Sequence, residues 1–324
     1  MPAISISRDS PGRACVDTSG LLGCLIIHDM MCFLQGGLLR EGGLSEILSE
    51  MPAPAPETLQ VEQRGRVAVV WLNRPDRLNA ISRRMLDEIA AVLRTLARDD
   101  GTRVIVLAGR GSSFCSGFDV ERGGAGFGWA PDPVSDAIDL ERRLGSFLQV
   151  WDSPKPVIAA VHGHCLAAAT LLCTLADLTI VASDARIGYS TMPLGGGFLE
   201  PLWVHLVGPK RAKQMALIPG HTITGATAAD WGWANYAVEP GRLFDEALAV
   251  AAQMARMPSD VARLRKQAIN RMVELAGLRE GALAGAQTDA ILHQSPAVQR
   301  LRAAIGEHGL KEAIRRFQAG ELEN

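Results

Sequence analysis

The 324-residue sequence is poor in aromatic side chains, with two Tyr and an aromatic fraction of 5%. It also lacks a dominant charge, since 33 Lys and Arg face 35 Asp and Glu. Nucleic-acid binding needs a basic footprint or a stacking platform, so no nucleic-acid partner is expected. None of the cysteines Cys15, Cys24, Cys32, Cys115, Cys165 and Cys173 forms a C-x-x-C pair, which points to free thiols in a reducing cytoplasm. No cluster of His, Cys, Asp and Glu has metal-ligand spacing, and no metal is expected. A clean membrane-spanning run is missing as well. Residues 21–39 are apolar, but His28, Asp29 and Gln35 interrupt them and Gly36 and Gly37 lie within the run, so no membrane partner is expected. Asp9 and Asp17 stand where a secretory leader would be basic.

What is present is apolar residues, 48% of the chain, enough for one substantial core with a smaller appended unit. Residues 1–50 share no periodicity with the rest of the chain, and Met51-Pro52-Ala53-Pro54-Ala55-Pro56 cannot continue a helix. Residues 1–56 are therefore set apart, and two readings stay open for them. They are a poorly ordered extension, or a mis-assigned start with Met51 as the natural beginning. From Val67 short apolar runs alternate with amphipathic stretches, the pattern of an α/β protein. Strands are expected at 67–72, 104–107, 157–161 and 178–182. A helix is expected at 82–97, where Leu86, Ile89, Leu93 and Leu96 repeat at helical spacing, and a buried helix at 168–176. After Pro209 the pattern is mainly helical, at 210–217, 226–232, 244–257, 261–275 and beyond. The expected division is an α/β core over 57–257 and a helical region over 258–324.

Several segments carry chemistry. The strand at 157–161 runs into His162-Gly163-His164-Cys165-Leu166-Ala167-Ala168-Ala169, then a buried helix and Ala176-Asp177-Leu178. Upstream lie Asn73-Arg74-Pro75-Asp76-Arg77-Leu78-Asn79-Ala80 and Phe114-Cys115-Ser116-Gly117-Phe118-Asp119. Downstream are Gly208-Pro209-Lys210-Arg211-Ala212 and Ile223-Thr224-Gly225-Ala226. In this order they resemble the enoyl-CoA hydratase/isomerase (crotonase) superfamily, from about Leu59 to Asn270.

The resemblance implies a crotonase-like ββα-spiral core with C-terminal helices that assemble a homotrimer or a dimer of trimers. It implies no permanently bound cofactor, coenzyme A arriving as part of an acyl-CoA thioester. The backbone amides of Phe118 and Ala168 are then the oxyanion hole for the thioester oxygen. Ala168 would open a helix, whose unpaired amides and positive end favour an enolate oxygen. Arg77, Asn79, Ala80, Ser116, Gly117, Asp119, His164, Leu171 and Tyr189 are the implied substrate and CoA contacts. The plainer alternative is that Ala167, Ala168 and Ala169 make only a tight helix–sheet contact.

The sequence departs from the family where its hydratases carry two water-activating glutamates. The matching positions are Leu171 and Thr191, and neither acts as an acid or base at neutral pH, so ordinary hydration should be slow. Glu200, five residues after Gly195, is a candidate acid/base if desolvated, or else a solvated charge near a helix start. Thr191 and Tyr189 are candidates to hydrogen-bond substrate. His164 reads as a CoA contact or a polar surface residue, and His205 as part of a half-buried helix face. Asp119 reads as a loop-fixing carboxylate accepting backbone amides, and Cys115 as a packed thiol. Three functions stay open. They are a lyase or isomerase of acyl-CoA, fatty-acid-type metabolism; a catalytically impaired acyl-CoA-binding or regulatory homologue; and a C–C bond hydrolase of a β-diketone-type substrate.

Overall fold

The computed structural model describes residues 55–120, 130, 132–189, 191–195 and 200–322. The expectations for residues 1–54 lie outside the described residues. Strand β1 (Leu59–Arg64) exposes most of its side chains, whereas β2 (Val67–Leu72) is buried along its whole length. Helix α1 (Arg83–Arg98) starts at Ser82, whose hydroxyl accepts the Met85 amide at 3.2 Å, a standard N-cap. It buries Leu86, Ile89, Leu93 and Leu96, each worth about 1.5–3 kcal/mol when fully removed from water. Strand β3 (Val104–Gly109), helix α2 (Pro133–Asp152) and strand β4 (Val157–Val161) come next along the chain. Helix α2 has no counterpart among the expected elements, although Asp132 before Pro133 is a helix-start pair and the Asp132 side chain accepts the amides of Val134 and Ser135.

Beyond β4 lie strand β5 (His164–Leu166), helix α3 (Ala168–Leu175), strand β6 (Leu178–Ala182) and strand β7 (Arg186–Gly188). A 3-10 turn, Glu200–Trp203, leads into α4 (Val204–Leu217), which begins earlier than its sequence pattern and kinks at Gly208 before Pro209. Strand β8 (Thr222–Thr224), helix α5 (Gly225–Asp230), strand β9 (Tyr236–Val238) and helix α6 (Leu243–Met254) close the α/β part. Helices α7 (Ser259–Leu275), α8 (Leu278–His293), α9 (Pro296–His308) and α10 (Leu310–Gln318) end the chain.

The main sheet has the order β1-β2-β3-β4-β6-β9, with β1 antiparallel and every other pairing parallel. Parallel strands covered on both faces read as continuous apolar runs, which is why β2, β3, β4 and β6 are visible in the sequence. The second sheet, β5-β7-β8, is not, because each of its strands has only three residues.

Residues Ala55–Asn324 cohere as one compact unit. Two contacts show why. Lys266 of α7 reaches Asp177 at 2.8 Å, and the same Asp177 oxygen accepts the Val157 amide of β4 at 2.7 Å. Burial pushes the Asp177 carboxyl up and the Lys266 ammonium down, each against the pull of its partner. Helices α9 and α10 enclose Met192 with Leu301, Ala304, Ile305 and Ala313. The C-terminal helices are thus part of the core packing.

Candidate functional site

The loop after β3 is stitched to the strand-and-turn ahead of α3. Phe114 N donates to His162 O at 2.8 Å, Cys115 N to His164 O at 2.9 Å, and Leu166 N to Cys115 O at 3.1 Å. This ladder brings Cys115 into one buried thiol neighbourhood with Cys165 and Cys173. The Cys165 and Cys173 sulfurs are 3.7 Å apart. Burial pushes the Cys115 thiol far above its ordinary range, so it is a packed thiol and not a nucleophile.

At the end of the ladder, Gly117 adopts φ +96, a conformation that L side chains rarely take. A Cβ there would lie 2.9 Å from Leu166 O, 3.0 Å from the Ala167 Cβ and 3.5 Å from Ala168 N. Only a residue without a side chain lets these two segments approach. Ala168 is the first residue of α3 and is fully buried. Its amide has no acceptor within the helix and makes no hydrogen bond among the described residues. The preceding Ala167 is held at φ 49, ψ −121, its own amide donating to Gly188 O of β7 at 2.8 Å. Thr170 turns both its amide and its hydroxyl onto Ala167 O, which fixes the first turn.

The segment 73–81 lies against the other side of the Gly117 loop. Ile81 N donates to Gly117 O, Asp119 N to Ile81 O and Ser116 N to Leu78 O. Asn79 is fully buried. Its carbonyl accepts Arg74 N at 2.9 Å, and its amide donates to Arg110 O and Ser113 O at 2.8 and 2.9 Å. Its side chain thus braces two loops from within. Asp119 is buried and takes Arg74 at 2.8 Å and Arg77 at 3.4 Å. Its side-chain partners are guanidinium groups, which corrects the backbone amides expected from the sequence. Charged donors compensate a buried carboxylate's lost hydration better than neutral amides do.

The remaining candidates differ in burial. Ala80 is buried and Ser116 half-buried. Phe118 is half-buried, with its ring edge-on to Phe147 of α2 at 6.0 Å. His164 is half-buried on β5, its Nδ1 3.2 Å from the Ser113 hydroxyl. Leu171 lies one turn into α3 and is 1% exposed. Tyr189 is buried with its ring 5.4 Å from that of Trp203, whose indole N–H donates to the Thr170 hydroxyl at 3.4 Å. Thr191 is half-buried beside Gly220. His205 is half-buried on α4. Glu200 opens the 3-10 turn, and its side chain lies outside what is described.

Sequence reasoning missed a buried polar group formed by Asp136 of α2 with Asp289 and His293 of α8. His293 Nδ1 stands 2.6 Å from Asp136 Oδ2. These residues are far apart in sequence and sit in no motif, and only the helix-start pair Asp132-Pro133 hints at α2. Among the described residues no group of three His, Cys, Asp or Glu is arranged to hold a metal ion, and no helix is long and apolar enough to cross a membrane.

The turn at Gly117, flanked by Arg-bound Asp119, and the alanine-rich turn that opens α3 adjoin at a helix start. The enoyl-CoA hydratase/isomerase family model matches residues 62–301. The chain belongs to the enoyl-CoA hydratase/isomerase family. It is 32% identical over 240 residues to a Thermus thermophilus protein named "putative enoyl-CoA hydratase", covering 70% of this chain and 90% of that one. It is 33% identical over 215 residues to the Escherichia coli 1,2-epoxyphenylacetyl-CoA isomerase, covering 63% and 78%. The crystal structure of an enoyl-CoA hydratase from Mycobacterium smegmatis superposes with a TM-score of 0.74 at 31% identity, covering 82% of this chain and 95% of that one. The crotonase fold expected from the motifs is therefore the fold of this family member, and an acyl-CoA enzyme is the activity class it shares.

Proposed function

We propose that this enzyme binds an acyl-CoA thioester and stabilises its enolate between the amides of Phe118 and Ala168, with Glu200 taking up the α-proton, and performs isomerase or lyase chemistry with little hydration. The observation that carries the reading is the approach of Gly117 to Ala168 N, beside an Ala168 amide with no internal acceptor. Preorganised N–H groups of this kind act where charge develops, and one such donor is worth about 10²–10³ in rate. The apolar Leu171 and the hydroxyl of Thr191 supply no water-activating carboxylate. The isomerase among the relatives supports the same direction.

Coenzyme A enters as part of the substrate, and the acyl chain is the variable. The exposed Leu264, Ile269, Met272 and Leu275 of α7 support assembly of a homotrimer or dimer of trimers through the C-terminal helices. The cytoplasm is the proposed compartment, consistent with the free buried thiols.

The test follows butyryl-CoA in D2O by mass spectrometry and crotonyl-CoA by loss of enoyl absorbance. Exchange of the butyryl α-protons with hydration well under about 10 s⁻¹, an ordinary enzyme rate, is the expected result. Fast hydration without exchange would overturn it. Binding of butyryl-CoA with neither reaction would favour the second reading, an acyl-CoA-binding homologue without turnover, which the buried Leu171 also fits.

A further inference from the structure

The described stretch after β7, residues 189 and 191–195, links the α3 start to the C-terminal helices. Its near end is tied to the α3 start, through Gly188 O to Ala167 N and through Tyr189 against Trp203. Its far end is held by the C-terminal helices. Met192 is 1% exposed inside the α9–α10 cluster, and Leu194 packs against that cluster. Gly195 abuts α8, where a Cβ would lie 3.1 Å from His293 Nε2 and 3.3 Å from Asp289 Oδ1. Thr191 sits between these two anchors.

His293 has one ring edge toward Gly195 and the other on Asp136, which is fully buried on α2. The second Asp136 oxygen accepts the Ala130 amide at 3.2 Å, and the Arg143 guanidinium feels the Asp136 charge. On α8 the neighbouring charge is Asp289, itself buried, and the His293 carbonyl accepts the Gln299 amide at 2.5 Å. Burying two carboxylates and an imidazole together is costly unless the groups are mutually satisfied. An imidazole bonded to a carboxylate through Nδ1 has a fixed tautomer and a fixed ring plane. Such a ring holds whatever its other edge meets.

We propose that His293 is a positioning residue of the acyl-CoA site. Oriented by Asp136, its ring fixes the loop at Gly195 and so sets where Thr191 and Tyr189 stand relative to the α3 start. The inference rests on the proposed acyl-CoA reading for its consequence in turnover. Its structural part stands apart from that reading.

The experiment uses the full chain as His293→Phe, which keeps ring volume and removes both nitrogens, and as His293→Asn, which keeps a donor for Asp136. Asp136→Asn accompanies them as an isosteric change that perturbs the couple from the other side. Amide hydrogen exchange of residues 189–195 is measured beside the thermal melt. In His293→Phe these amides should exchange about tenfold faster or more, with the cooperative melt retained and partial recovery in His293→Asn. Butyryl-CoA α-proton exchange should fall about tenfold or more, because small misplacements of positioning groups are costly, with KM within about threefold of the parent. Parent-like protection of residues 189–195 in a folded His293→Phe overturns the proposal. If His293→Phe fails to fold, the same protection measurement in Asp136→Asn decides it. A parent protein that exchanges no butyryl α-protons defeats the acyl-CoA reading instead, and the amide exchange still decides the positioning role.

Discussion

Gly117 and Ala168 face each other across the site so closely that a Cβ on the first would stand 3.5 Å from the nitrogen of the second. Each is needed for a different physical reason. Gly117 supplies a positive φ and the absence of a side chain, and Ala168 supplies an amide that its own helix leaves unused.

That division makes Ala168→Pro informative. Proline at the first position of a helix is tolerated, because the amide it removes has no intrahelical partner. The variant should fold with a nearly unchanged circular dichroism spectrum and lose about 10²–10³ in butyryl-CoA α-proton exchange. Exchange at the parent rate in a folded variant would show that Ala168 N does not serve the oxyanion.

Ala167→Gly should raise stability. Ala167 sits at φ 49, ψ −121, where an L residue carries about 1–3 kcal/mol of strain, while glycine costs about 0.4–1 kcal/mol more unfolded-chain entropy. The net expectation is a rise in melting temperature of about 2–4 °C. A fall would mean that the methyl contact with Gly117 outweighs the backbone strain.

Asp139 on α2 predicts an acid limb. Burial opposes its ionisation, but Arg83 on α1 and Arg142 and Arg143 on α2 hold the carboxyl down at about 2. A depressed folded-state value stabilises above the unfolded value near 3.8 and is lost as pH falls through about 2. The melting temperature should therefore decline between about pH 4 and 2, and Asp139→Asn should flatten that decline. At pH 7 the variant should be destabilised by about 3 kcal/mol, because Arg83, Arg142 and the buried Arg143 all lose the carboxylate they share. An unchanged acid profile in the Asn variant would assign the decline to other carboxylates.

A chain that begins at Met51 should melt cooperatively, since Ala55–Asn324 is a compact unit in its own right. Loss of the cooperative transition would show that residues before Met51 contribute to the core.

Sedimentation at micromolar concentration should give a trimer or hexamer. Met272→Glu, on the exposed apolar face of α7, should yield smaller species with unchanged helix content, because a charge cannot be buried unpaired at an interface. A monomeric parent would remove α7 from consideration as an assembly surface.

The sequence by itself determined the parts of this protein that depend on local pattern. Strands β2, β4 and β6 stand at their expected bounds, because strands covered on both faces need unbroken apolar runs. The helix starts at Ser82 and Ala168 are visible in the spacing and in the signature. The motifs around Gly117 and Ala168 point to the family that the chain belongs to, and the close approach of the two segments constrains residue size at fixed positions. Tertiary structure decided everything that depends on meetings between distant residues. Asn79 proved to be an internal brace, Asp119 a ligand for Arg74 and Arg77, and Met192 a core residue for α9 and α10. The couple of Asp136 and His293 joins positions 157 apart, and no local pattern encodes it. A single polar residue on a helix looks the same in sequence whether it meets water or a buried partner, and only packing tells the two apart.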